Sequence, residues 1–274
     1  MTKEFTPDPV FHSDAGTKFV PDNFVPLNKE VYVKAGDDMS DKGYEESNLA
    51  DHIRFKMRRE KKRFWANDNV SEYLHEGDKE KLIEEATVAF EQVLQTLLID
   101  TETDPSSRGT AKRLAKMYIN EVMSGRYEPA PDATAFPNDS ADRYEGMLVV
   151  RSELRSMCSH HHQPVSGVAY IGIIAAQKLI GLSKYSRIAQ WCARRGTLQE
   201  ELCNDIAKEI SKATGATDLG VYMQMTHGCC ENRGIMSHSS LTQTTVLKGA
   251  FNTDGNTKKE FFDNIKLQQE FAPR

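Results

Sequence analysis

The apolar residues of this chain first change period near residue 145, and that change limits the folds open to it. Upstream they recur every three or four positions. Leu82, Ala86, Phe90, Val93 and Leu97 follow Asp78, which is placed to cap a helix. Ala111, Leu114, Tyr118 and Val122 follow Thr110, with Gly125 just beyond. A Pro- and Asp-rich connection fills 126–143. Downstream, Leu148-Val149-Val150 and Val168–Ile173 read as strands joined by a turn region near Gly167. A helix from Ser183 turns Ile188, Trp191 and Cys192 inward. The next, from about Leu198 to Ala213, aligns Leu202, Ile206 and Ile210 and stops at Gly215. Strand-like runs at 219–226 and 241–247 close the pattern. The order strand, strand, helix, helix, strand, strand makes this an α+β chain, and no internal repeat is present.

With 39% hydrophobic residues, 274 residues can bury one sizeable core if part of the chain lies outside it. Residues 1–45, rich in Pro, Gly, Asp and Lys, read as an extended or disordered arm. Between Arg54 and Arg63 stand seven basic residues against one acidic, followed by Phe64 and Trp65. That run is either a docking segment for an acidic partner or nucleic acid, or the solvated face of a helix or loose tail. The tail from Gly249 is polar, with a short apolar patch at Phe261-Phe262. The net charge of −5 argues against a nucleic-acid binder. No apolar run approaches the roughly 18 residues of a membrane span, and the start lacks a secretory pattern. A soluble, cytoplasmic protein is expected. Its five cysteines all lie at or beyond residue 158, an odd and sparse set that fits a reducing compartment.

The chemistry concentrates in two short runs, Cys158-Ser159-His160-His161-His162 and Thr226-His227-Gly228-Cys229-Cys230. A thiol and an imidazole three residues apart on a tight turn can share one Zn²⁺. Cys229, 229 − 161 = 68 residues beyond His161, supplies a third ligand. Three protein ligands leave a fourth position for water, which zinc makes acidic enough to yield hydroxide at neutral pH. The other reading is a closed structural site, with His160, His162, His227 or Cys230 as the fourth ligand. If the strand continues through Cys230, that thiol faces away from Cys229. Cys192 and Cys203, without histidine neighbours, read as small buried hydrophobes.

Arg113 and Lys116 share a helix face, as do Lys184 and Arg187 behind Ser183, and Arg233 follows the second cysteine run. Each can be a surface charge; around a metal they can form a polyphosphate pocket. No Walker-type loop is present. Gln199-Glu200 opens a helix, where a carboxylate either favours the dipole or receives the donor edge of a purine.

Five segments in order resemble the GTP cyclohydrolase I family across about residues 80–264. They are Gly109–Tyr118, Cys158–His161, Ile180–Ile188, Leu198–Leu202 and Thr226–Gly234. The resemblance implies a T-fold, ββααββ, preceded by N-terminal helices and assembled into a multimeric barrel, commonly a homodecamer. It implies conversion of GTP and water to formate and 7,8-dihydroneopterin triphosphate, which opens folate, biopterin or 7-deazaguanine routes. By motif position, Cys158, His161 and Cys229 hold zinc, and the zinc-bound water attacks C8 of guanine. His227 is the acid/base at N7, and His160 hydrogen-bonds near the ribose and the reacting ring. Glu200, helped by Gln199, anchors the guanine edge. Ser183, Lys184, Arg187 and Arg233 grip ribose and triphosphate, with Arg113 and Lys116 from a neighbouring subunit. The family usually has Glu where Ser159 stands, and Cys230 beside Cys229 is unusual. Two alternatives are a T-fold nitrile reductase, which needs a nicotinamide and no zinc, and a zinc-stabilised binding protein without catalysis. The chain then divides into a largely disordered or loosely helical N-terminal extension (1–75), a helical part (76–143), the T-fold core (144–250) and a C-terminal tail (251–274).

Overall fold

The structure, a computed structural model, describes residues 48–138 and 143–271; the arm expected over 1–45 lies outside the described residues. In chain order the elements are α1 (Leu49–Arg59), α2 (Asp78–Thr96), α3 (Thr110–Met117) and α4 (Ser124–Tyr127). Then come β1 (Ala135–Pro137), β2 (Met147–Cys158), β3 (Pro164–Ile174), β4 (Lys178–Ile180), α5 (Leu182–Ala193) and β5 (Gly196–Thr197). The last are α6 (Gln199–Thr214), β6 (Leu219–His227), α7 (Gly228–Glu231), β7 (Thr242–Lys248), α8 (Ala250–Thr253) and α9 (Gly255–Phe271). A π-helical turn, Tyr118–Val122, prolongs α3.

One five-stranded sheet organises this mixed α+β chain, in the order β5-β2-β3-β6-β7. The pairs β2–β3, β3–β6 and β6–β7 are antiparallel, and the two residues of β5 run parallel to the end of β2. Alternation along the strands sorts side chains to two faces. Leu154, Ala169, Ile171, Ile173, Val221 and Met223 face α5 and α6, whose Tyr185, Ile188, Cys192, Leu202, Ile206 and Ile210 are buried against them. These are the helical faces that the spacing predicts, and Gly215, left-handed at φ 73°, ends α6 where expected.

Several local expectations need correction. The β2–β3 turn lies between Cys158 and Pro164, not near Gly167. Gly167 sits inside β3, where an added Cβ would come within 2.0 Å of the Gln224 carbonyl oxygen, so the strands' close approach demands glycine there. Asp78 is the first residue of α2 rather than its cap, and its carboxylate accepts from the His75 amide. The buried stripe of α2 runs through Ile83 and Leu94, with Leu82, Ala86 and Phe90 packed beside Ala115 of α3 and Ile119 of the π-helical turn. Val93 and Leu97 fall off that stripe and stand 53% and 64% exposed. Gly125 does not end a helix; it is buried inside α4.

The C-terminal stretch is not a polar tail. It forms α8 and α9, which lay Phe251, Phe261 and Ile265 onto Tyr170 on the second face of the sheet. Gly172 and Gly220 pair across β3 and β6 beneath those rings. A Cβ on either would come within 2.6–2.8 Å of a ring carbon.

Residues 49–75 also pack. Ile53 and Met57 of α1 cluster with Val70 and Tyr73, which leaves the basic residues on the outer side of the helix. The loop that follows is tied down by arginines from far along the chain. Arg126 donates to the carbonyl oxygens of Phe64, Trp65, Ala66 and Asp68. Arg195, buried and stacked 3.9 Å from the Trp191 ring, donates to the carbonyl of Asn67. No helix among the described residues is long and apolar enough to cross a membrane.

Candidate active site

The two chemical runs meet at one end of the sheet because β2 and β6 both finish there, on either side of the start of β3. His227 pairs with Val165, and Met157 pairs with Pro164. Beyond Cys158 the chain reverses in a tight turn, with the His162 amide donating to Cys158 O and the Cys158 amide to Gln163 O, each at 2.9 Å. His162 takes a left-handed conformation, φ 50°, and its ring lies 5.7 Å from that of Tyr118. Tyr118 in turn stacks on Phe90, so the turn rests on the helical layer. Beyond His227 the backbone leaves the strand and coils into α7, which presents Cys229.

This geometry brings one ligand atom each from Cys158, His161 and Cys229 within 4.8 Å of one another. Cys158 is buried, Cys229 half-buried and His161 exposed, so the sulfurs form the floor and the imidazole the rim. Two thiolates and an imidazole are a donor set that suits Zn²⁺. Burial, with the thiols of Cys158 and Cys230 alongside, pushes the Cys229 thiol up to about 11. A divalent cation reverses that preference, because a coordinating thiol is deprotonated. Cys230 does not face away on a continuing strand: the strand has ended, and its thiol lies beside that of Cys229.

β5 pairs Thr197 with Cys158 and so delivers the N-terminus of α6 to the same place. Gln199, the first residue of α6, is buried, and its side-chain oxygen lies 2.8 Å from His227 Nε2. Burial draws the His227 pKa below the ordinary imidazole value, and the nearby carboxylates of Glu200 and Glu231 oppose the shift. Arg233 donates from Nη1 to His161 Nε2 at 2.8 Å, and the His160 ring stands edge-on to His161 at 6.2 Å.

A model of the family "GTP cyclohydrolase I" matches residues 86–266. The chain belongs to the GTP cyclohydrolase I family. Relatives bearing the name GTP cyclohydrolase 1 agree with this. That of Flavobacterium johnsoniae is 39% identical over 195 residues, 71% of this chain and 86% of the relative. That of Aeromonas salmonicida is 38% identical over 176 residues, covering 64% and 79%. That of Pseudoalteromonas translucida is 35% identical, covering 65% and 97%. As a member of the GTP cyclohydrolase I family, the chain is an enzyme.

Not every residue singled out by the family motifs joins the cluster. Cys158, His161, Cys229, His160, His227, Gln199 and Arg233 gather at the strand ends, and Glu200 lies close enough to act on His227 electrostatically. Ser183, Lys184 and Arg187 line α5. Ser183 and Arg187 are exposed, and Lys184 Nζ donates to Asp132 O. Arg113 turns back on its own loop, donating to Ser106 O, Arg108 O and Thr110 Oγ1, and Lys116 is exposed on α3. Gln199 is placed differently from the expectation that it helps hold a purine edge: its amide points inward. The period of α6 carries that signal, since Gln199, Leu202, Cys203 and Ile206 share one buried face and Glu200 falls outside it. Thr244, which supports the amide, carries no motif that marks it; Tyr118, which supports the turn, closes the first family segment but reads there only as a helix-face residue.

Proposed function

We propose that the chain converts GTP and water to formate and 7,8-dihydroneopterin triphosphate, with one Zn²⁺ held by Cys158, His161 and Cys229. The observation that carries this reading is the convergence of those three ligand atoms within 4.8 Å. Bound there, zinc would act as a Lewis acid and lower the pKa of a water to about 7. The remaining work falls to the chain. His227 moves a proton at N7 of the purine while C8 is attacked. His160, beside His161, hydrogen-bonds near the ribose. Glu200, exposed at the start of α6, accepts from the guanine N1–H and amino group. A carboxylate that pairs with those donors rejects adenine, whose N1 is an acceptor and leaves it unpaired.

Ser183, Lys184, Arg187 and Arg233 take the ribose and triphosphate, with arginine forks on phosphate oxygens. Arg113 and Lys116 complete the grip from a neighbouring subunit of a homo-oligomer, a T-fold decamer. The product enters folate, biopterin or 7-deazaguanine synthesis. The test is incubation of the purified chain with GTP alone, measuring formate and, after oxidation, a fluorescent pterin. Both products are expected to form, a chelator should abolish them, and added Zn²⁺ should restore them. Formate that persists after complete metal removal would overturn the zinc assignment. Turnover that requires a nicotinamide would favour the nitrile reductase.

A further inference from the structure

Gln199 has every polar atom of its side chain engaged. It is 4% exposed. Its amide nitrogen donates to Thr242 O at 3.1 Å and to Thr244 Oγ1 at 3.0 Å, both on β7. Those bonds use both amide hydrogens and fix which way the amide faces, so Oε1 is the atom turned to His227. An amide oxygen only accepts; at 2.8 Å the hydrogen between them therefore belongs to His227 Nε2. In the neutral ring the lone pair is then on Nδ1.

We propose that Gln199 is a positioning residue for His227, with the edge strand β7 as its anchor. Thr242 and Thr244 lock the amide, the amide locks the imidazole into its Nε2–H tautomer, and Nδ1 is the atom presented to substrate. Gln199 and Glu200 thus divide the start of α6. Successive residues on a helix point about 100° apart, so the first faces the histidine and the second the solvent side, where a ligand can reach it. This inference rests on the reading of His227 as the proton-transfer group. It assigns a part in the reaction to β7, a strand that carries no site residue of its own.

The experiment compares wild type, Gln199→Leu, Thr244→Val, His227→Ala and the double variant Gln199→Leu/His227→Ala in kcat and KM for GTP. Gln199→Leu should lower kcat by roughly 100-fold, in the range of a misplaced general acid/base, and leave KM within about twofold. Thr244→Val, which frees one amide hydrogen without disturbing the packing volume, should move kcat the same way by a smaller factor and keeps the test open if Gln199→Leu does not fold. In the His227→Ala background, Gln199→Leu should cost nothing further. A raised KM with kcat preserved would return Gln199 to the guanine edge and overturn the proposal. An equal loss of kcat with and without His227 would reduce Gln199 to a packing role and overturn it too. If the wild type yields no formate from GTP, the functional reading fails by itself. The tautomer is then still decided by ¹⁵N spectra of histidine-labelled full-length protein at alkaline pH. A protonated Nε2 that gives way to mixed tautomers in Gln199→Leu supports the lock, and a protonated Nδ1 in the wild type removes it.

Discussion

The two faces of the sheet are covered in different ways. On one, α5 and α6, between β3 and β6 in the chain, bring long aliphatic stripes; on the other, α8 and α9 arrive from the C-terminus and cover the strands with two phenylalanines. The first cover is announced by its own period. The second is announced by the sheet instead: Gly172 and Gly220 sit opposite each other in β3 and β6 and leave a socket for the Phe251 and Phe261 rings. Here the paired glycines mark where the rings of another element approach the strands closely. Chemistry gathers at the open end of the first face, whereas the second face has only packing to do.

Substitutions can break that division. Cys229→Ala or His161→Ala, at the open end, should cost turnover about 10³-fold or more and remove bound metal, with the thermal midpoint lowered only by the lost metal; metal analysis and kinetics on one preparation would show it. Phe261→Ala, on the second face, should do the reverse. Deleting a fully buried phenylalanine costs about 3–5 kcal/mol, read by denaturant unfolding, while kcat per folded molecule stays near wild type. If Phe261→Ala lost metal before it lost stability, the two faces would be coupled and the division wrong. Gly172→Ala sharpens the same point by overfilling the socket, for about 1–3 kcal/mol. Its cost should shrink in a Phe261→Leu background, where the ring carbon 2.6 Å from the new Cβ is gone. The smallest effect lies in the first face. Burial pushes the thiols of Cys192 and Cys203 up to about 12, so neither should react with iodoacetamide at neutral pH until the chain unfolds. Peptide mapping after native labelling would show both unmodified.

How much of this was legible depended on whether a residue's signal was its own. Cys158, His161 and Cys229 carry their chemistry in their identity, and the strand ends that join them follow from the change of period. The stripe through Leu202, Ile206 and Ile210 was equally plain, and it also turned Gln199 inward, although the purine-edge reading overrode it. Gly167 was illegible as a strand residue because its reason lies in another strand's carbonyl, that of Gln224. Cys230 was misplaced because nothing local marks where β6 gives way to α7. The C-terminal helix was missed because its inward side offers only Phe261 and Ile265, too few to form a stripe.

The loop around Asn67 also has a consequence in time. Its anchors are Arg126, which holds four of its carbonyls, and Arg195, 128 residues downstream of Asn67. At roughly 5–20 residues per second, a ribosome takes about 6–26 s to travel from one to the other. Arg126 is made part-way through that interval and can take its four carbonyls, whereas the Asn67 carbonyl waits for Arg195. The end of this loop is fastened last, and a nascent chain stalled short of residue 195 has Arg126 for the Phe64 and Trp65 carbonyls but no donor for that of Asn67.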